Sequence, residues 1–100
     1  MDRERSLYSL KFLGQAVDDL KRIDRAHQKI IKAKLKILAA NPHALKNNIR
    51  RLSSTEDNIF RLRIGAYRVI FKQDQSELVI LVIRIGHRKD IYAKTGTNIG

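Results

Sequence analysis

The sequence predicts an α+β fold in which an N-terminal strand and a helical hairpin pack on a twisted antiparallel β-sheet, with no clear C-terminal helix. Three observations predict it. From Gln15 to Asn41 apolar residues recur every three or four positions, the period of a helix with one buried face. From 58 to 72 polar and apolar residues alternate, the period of a strand. Gly65-Ala66 separates two such runs, as a tight hairpin turn does.

Taken in order, residues 7–12 read as a short first strand that Gly14 breaks. Ala16, Leu20 and Ile23 make the buried stripe of a first helix, with Asp18, Asp19, Lys21 and Arg22 opposite. Asp24 is placed to cap a second, longer helix whose apolar stripe is Ile30, Ile31, Leu35 and Leu38. Asn41-Pro42 ends it, because proline pushes the preceding residue out of the helical region. Residues 43–57 have no clean period and are rich in Asn, Ser and basic side chains, so they read mostly as loop anchored by Ile49 and Leu52. Strands at 58–64 and 67–72 follow. With 65 and 66 as the turn, Ile64 pairs with Tyr67 and Arg63 with Arg68, while Leu62, Ile64, Tyr67, Val69 and Phe71 share one apolar face. KQDQSE is the next turn, and LVILVIRI, apolar on both faces, is a strand central in the sheet. The polar HRKD and a short IY segment at 91–92 close a single domain, residues 1–94. Residues 95–100 read as a disordered tail, since TGTNIG has little apolar content and poor helix propensity.

One hundred residues, 43% apolar with a single proline, are enough for one domain with its own core. The absence of cysteine rules out disulfides and thiolate metal sites and fits a reducing cytosol. The start, MDRERSLYSL, lacks the apolar segment of a secretion signal, and the longest apolar run, Leu78 to Ile83, is too short to span a bilayer. A cytoplasmic protein without membrane contact is therefore expected. Charge is the strongest global signal: 21 Lys and Arg against 10 Asp and Glu give a net +11. A field of that sign draws polyanions toward the chain.

The charge has a place in the fold. Strand parity puts Arg61, Arg63 and Arg68 on the face away from the core, with Arg63 and Arg68 directly opposed. Like charges so placed repel, so this face wants an anion. If Arg84 shares it, Val79, Leu81, Ile83 and Ile85 point to the core. His87, Arg88 and Tyr92 emerge just past the strand end. Arginine's planar fork grips phosphate through two bonds at once, and several arginines around one phosphate stabilise the added charge of a pentacoordinate transition state. On the second helix Lys29, Lys32 and Lys36, three and four residues apart, are spaced to track a phosphate backbone, although each alone reads as a solvated lysine.

No carboxylate cluster accompanies the arginines, and His27, His43 and His87 lack metal-ligand spacing, so no metal is expected. RNA offers a route that needs none: the ribose 2′-hydroxyl attacks the adjacent phosphate once aligned, given a base, an acid and positive charge. His87 and Tyr92 are the nearby groups with suitable chemistry, and a tyrosine with its usual pKa of ~10 needs that value pulled far down to act as a base near neutrality. Tyr92 reads equally as a packing or base-stacking aromatic, and His87 as a solvated loop residue.

The order of elements, with SLKFLGQAVDDLKRID, LAANP, NIFRLRIGAYRVIF and LVILVIRIGHRKDIY, resembles the RelE branch of the RelE/ParE toxin superfamily over about residues 7–92. RLRIGAYRVIF and RIGHRKDIY are its most specific parts. The resemblance implies a compact RelE-like toxin, neutralised by an acidic RelB-like antitoxin and reaching operator DNA only through that complex. It implies an endoribonuclease that enters the ribosomal A site, meets mRNA and ribosomal RNA there, and cuts the mRNA by 2′-hydroxyl attack without metal or cofactor. By the same resemblance Arg61 and Arg68 hold and polarise the scissile phosphate, and Arg63 is the second basic strand position. Arg88 is the acid or charge stabiliser for the leaving oxygen. Tyr92 stacks on the base or helps deprotonate the 2′-hydroxyl.

The expected catalytic set is thus Arg61, Arg63, Arg68, Arg88, Tyr92 and His87, with Arg84, Lys29, Lys32 and Lys36 as RNA contacts. The best-known member of the branch has lysines at the positions of Arg61 and Arg63, the second often assigned as general base. Arginine, with a pKa above ~12, takes that role poorly. The role then falls to Tyr92 or His87, or catalysis rests on alignment and electrostatics. Two other readings stand beside this one: the ParE-like branch, which shares the fold and poisons DNA gyrase by protein contact, and a noncatalytic RNA-binding module.

Overall fold

Two alternating runs and one run apolar on both sides form the middle of a five-stranded sheet. The structure, a computed structural model, describes residues 7–52 and 58–95, with side chains described as far as Ile91. Its elements are β1 (Ser9–Phe12), α1 (Gly14–Lys21), α2 (Arg25–Ala40), a 3-10 helix (Pro42–Asn48), β2 (Ile49–Arg51), β3 (Ile59–Ile64), β4 (Tyr67–Asp74), β5 (Val79–His87) and α3 (Arg88–Thr95).

The β3–β4 hairpin has the expected register: Ile64 faces Tyr67 and Arg63 faces Arg68. Gly65, at φ +59°, supplies the left-handed residue that the turn requires. β2 to β5 run antiparallel in succession, but β1 joins β5 in parallel. The intervening elements, not a hairpin, connect that last pair, so nothing forces the two strands to oppose.

Above the sheet, Ile31, Leu35 and Leu38 of α2 and Ala16 of α1 pack on Leu62, Val69, Phe71, Ile80, Val82 and Ile85. Asp24 caps α2 as expected, its Oδ2 accepting from the His27 backbone N–H at 3.3 Å. The stripe of α2 is narrower than the sequence suggests: Ile30 is 48% exposed, and Ala39 is buried in the stripe with Ile31, Leu35 and Leu38. One helical position away from Ile31 is a rotation of 100°, enough to carry a side chain off the sheet.

Three further differences have physical causes. Residues 43–52, read as loop, hold the 3-10 helix and β2. Asn41 accepts from the His43 N–H and Pro42 takes the first helical position, while a three-residue edge strand is too short to show a period. Residues 53–57 lie outside the described residues. Second, the β4–β5 register slips between Ile70 and Phe71, so that Ile70 faces Arg84 while Phe71 faces Val82. Ile83 is the extra residue of this bulge, and it flips the parity of β5. The strand therefore gives Ile80, Val82 and Ile85 to the core, in place of the expected Val79, Leu81, Ile83 and Ile85.

Third, His87 ends β5, and RKD and IY are not loop and segment but the start of one short C-terminal helix, α3. Its Ile91 is fully buried against Ile70, with Leu52, Ile59 and Ile83 around them. This second cluster explains why LVILVIRI is apolar on both faces. Residues 96–100, most of the expected tail, lie outside the described residues.

Because Leu35 is fully buried and Ile30 is half exposed, Leu35→Ala is expected to cost about 2–5 kcal/mol in urea unfolding and Ile30→Ala no more than about 1 kcal/mol. Acid is expected to weaken the fold through two carboxylates. Asp74 is held below its ordinary 3.8 by the Glu77 backbone N–H and then by Ser76, and Asp24 below 3.8 chiefly by the His27 side chain. Lowered in the folded chain, both contribute stability that is complete above the unfolded value and lost as pH falls through the folded one. The urea midpoint should drop below about pH 4, and Asp74→Asn should flatten that drop.

Candidate functional site

One end of the sheet gathers the predicted residues. Tyr67 faces His87 and Arg68 faces Gly86 across β4 and β5, and the Arg88 backbone N–H donates to Ala66 O at 2.7 Å. The β3–β4 turn and the start of α3 are thereby closed into one rim carrying Arg63, Arg68, His87 and Arg88. Arg63 and Arg88 are exposed, and neither side chain has a hydrogen bond or ion pair among the described residues.

Arg61 and Arg68 are different. They are only 5% and 6% exposed. Arg68 Nη1 donates to Gly65 O at 2.9 Å and Tyr67 O at 3.1 Å, and Arg61 Nη1 donates to Asn48 O at 3.1 Å. The face expected to be an open cradle is thus two-layered: buried guanidiniums that brace the turn and the β2 edge, and exposed ones beside them. Arg50 belongs to the exposed set, since it faces Arg61 across β2 and β3. Sequence reasoning missed Arg50 because β2 has no signal of its own. Lys34 was also missed; it and Ile30 line a cleft of about 220 Å³ with Arg63 and Gly65.

The remaining expected contacts are scattered. Lys29, Lys32 and Lys36 are exposed on α2, in the layer that packs on the opposite face of the sheet from Arg63 and Arg68. Lys32 and Lys36 border an apolar groove of about 310 Å³ lined by Leu10, Phe12, Val17, Leu20 and Leu35. Tyr92 belongs to α3, and its side chain lies outside the described residues. Arg84 falls in the row of Arg61 and Ile70, but its guanidinium ends on Asp19.

That contact organises the site. β1 covers the outer edge of β5 only as far as Val82, and α1 continues where it stops. Gln15 Nε2 donates to Ile83 O at 3.2 Å. The Asp19 carboxylate accepts from Arg84 Nε at 3.0 Å, Arg84 Nη2 at 3.1 Å and the Ile85 N–H at 2.9 Å. Read from the sequence as part of a polar helix face, Asp19 is instead 3% exposed. Side chains of a helix thus replace the missing strand and hold the end of β5 that leads to His87 and Arg88.

His87 Nδ1 accepts from the Lys89 N–H at 3.2 Å, so its neutral ring carries hydrogen on Nε2. The ring meets Tyr67 edge-on, with centroids 5.7 Å apart, and Tyr67 in turn contacts His27 at 5.1 Å. His27 Nδ1 lies 2.7 Å from Asp24 Oδ1. Residues 27, 67 and 87 share no motif, so only the fold unites them. Among the described residues, no three His, Asp or Glu side chains converge as a metal site, and no helix is long and apolar enough to cross a membrane.

Comparison with known proteins gives the site a context. The family model of the ParE toxin of type II toxin-antitoxin systems, parDE, matches residues 10–92. A RelE-like toxin protein of Escherichia coli is 28% identical over 87 residues, covering 85% of this chain and 90% of that one. The RelE of the archaeal RelE–RelB complex from Pyrococcus horikoshii is 27% identical, with a TM-score of 0.72 over 82% of this chain and 96% of that chain. For the RelB–RelE complex of Methanococcus jannaschii the identity is 26% and the TM-score 0.65, over 82% and 94%. The intact Escherichia coli RelBE complex, at 21% identity and a TM-score of 0.66 over 80% and 95%, is similar in fold.

Asp19→Ala leaves Arg84 and the Ile85 N–H without their acceptor, so it is expected to destabilise the chain by about 2–4 kcal/mol in urea unfolding. Asp18→Ala, one residue away on the exposed side, should leave the midpoint nearly unchanged.

Proposed function

The chain belongs to the ParE toxin family of type II toxin-antitoxin systems and is a toxin of RelE type, and from that premise we propose that it is an endoribonuclease that cuts mRNA in the ribosomal A site. Its expected neutralising partner is an acidic RelB-like antitoxin, the kind of partner that the RelE structures similar to it were solved with. One observation carries the reading: exposed Arg63, opposite buried Arg68 on the β3–β4 hairpin, and exposed Arg88, whose backbone N–H bonds to Ala66 O in the turn of that hairpin, belong to one rim.

In this reading the scissile phosphate sits against Arg63 and Arg88, whose guanidiniums match its oxygens. Buried Arg68 and Arg61 act from beneath, keeping the rim rigid and its field positive. The 2′-oxygen attacks phosphorus while its proton leaves. The bond to the 5′-oxygen breaks, and a proton on that oxygen completes a 2′,3′-cyclic phosphate and a free 5′-hydroxyl. Arg88 stabilises the leaving oxygen. His87, with Nδ1 engaged by the Lys89 N–H and hydrogen on its other nitrogen, has no free lone pair to take a proton. Taking up the first proton therefore falls to Tyr92 or to solvent, and alignment and positive charge supply the main acceleration.

A second reading has the ParE family model on its side: inhibition of DNA gyrase by protein contact, with no bond broken. Purified protein added to translating ribosomes separates the two. A-site cleavage is expected, with naked mRNA a poor substrate. Arg63→Ala and Arg88→Ala should each lower the cleavage rate by about 10²–10³. Intact mRNA on the ribosome together with inhibited supercoiling by gyrase would overturn the proposal.

A further inference from the structure

On the other side of the rim from the arginines lies a cleft of about 520 Å³ between the α1–α2 turn and the junction of β5 with α3. Its size is that of an ordinary small-molecule site, ~300–1,000 Å³. The rings of Tyr67 and His87 form one wall, and Ile85 and Gly86 lie along β5 below them. Asp19, Arg22, Ile23, Asp24 and Asp90 complete the lining. Nothing in the phosphate chemistry uses this space.

We propose that the cleft binds one nucleobase with an amino group beside a ring acceptor on its Watson–Crick edge, adenine or cytosine, from the RNA strand whose phosphate lies at the rim. This inference rests on RNA being the substrate. Its argument is local. Aromatic side chains at the edge of a cleft take planar rings, which every base provides. Carboxylates accept hydrogen bonds and donate none; both Asp24 oxygens already meet His27, whereas Asp90 has no hydrogen bond among the described residues. His87, with hydrogen on Nε2, is a donor. A ligand edge that offers an amino group beside a ring acceptor matches both, and adenine and cytosine have such an edge. Uracil instead presents two carbonyl oxygens around a single N–H and sets an acceptor against the carboxylates.

The position fits the same strand of RNA. Tyr67 and Arg68 are consecutive on β4, and His87 and Arg88 are consecutive at the end of β5. Consecutive strand residues point to opposite faces, so a chain with a phosphate on the arginines reaches the cleft by turning over this end of the sheet. The cleft would then select the base next to the cut, a task that the arginines, which touch only phosphate, cannot perform.

Nucleosides without phosphate test this, because the arginines contribute nothing to their binding. Isotope-labelled protein is titrated with adenosine, cytidine or uridine, and binding is read from the His27 and His87 ring signals and the Ile85 and Gly86 amides. Saturable shifts are expected with millimolar adenosine and cytidine, with uridine at least fivefold weaker. Asp90→Ala, at an exposed position, is expected to weaken adenosine about tenfold. His87→Phe keeps a ring but removes the donor and should bring adenosine and uridine closer together. No shift, equal binding of uridine in the parent protein, or unchanged adenosine binding in Asp90→Ala would overturn the inference. Ribosomal cleavage without nucleoside binding would sink this inference alone, and nucleoside binding without cleavage would sink only the catalytic reading.

Discussion

The Asp19 carboxylate ties a helix, a sheet edge and an arginine together. It is buried, it takes both an Arg84 fork and the Ile85 N–H, and it does so at the edge of β5 that β1 leaves uncovered. A buried carboxylate is tolerable only with such a full set of donors. In return it fixes α1 to the end of β5, and from that end the chain turns directly into His87, Arg88 and α3. The bulge at Ile83 lies just before this point and turns Arg84 toward its partner. Sheet edge, helix and arginine-bearing rim are therefore one connected arrangement.

The same connection makes sense of a strongly basic chain that folds at all. Opposed Arg63 and Arg68 repel, and so do Arg50 and Arg61. The fold separates them by depth: Arg61 and Arg68 turn inward and bond to backbone carbonyls, while Arg50 and Arg63 stay in water, where repulsion is screened. What is left at the surface is a positive rim. A phosphate placed there relieves the remaining repulsion, so affinity for an anion and stability of the rim have the same origin.

α3 adds a second constraint. Ile91 on Ile70 covers part of the face that carries the arginines, so that face is neither an open cradle nor plain surface. The arginines act at its margin. On the far side of that margin, the rings of Tyr67 and His87 and the carboxylates of Asp24 and Asp90 make an environment of opposite character. A sheet end with guanidiniums on one side and rings with acceptors on the other suits a ligand that is itself part anion and part planar base.

The α+β class, the β3–β4 register, the Asp24 cap and the family were legible in the letters alone, because each rests on local chemistry. A period of two or 3.6, a glycine at a turn or a carboxylate three residues before a backbone N–H is written in consecutive residues. The arginines of the rim were legible too, since parity along one hairpin is a local property. Docking of distant elements sets which of them are buried, pairs Arg84 with Asp19, makes Ile83 a bulge and brings Arg50 into the row. Residues 65 apart in sequence form that ion pair, and 27, 67 and 87 form the ring contacts. Long-range pairing of this kind depends on how separate elements dock, and a single chain of letters carries no period that reports it.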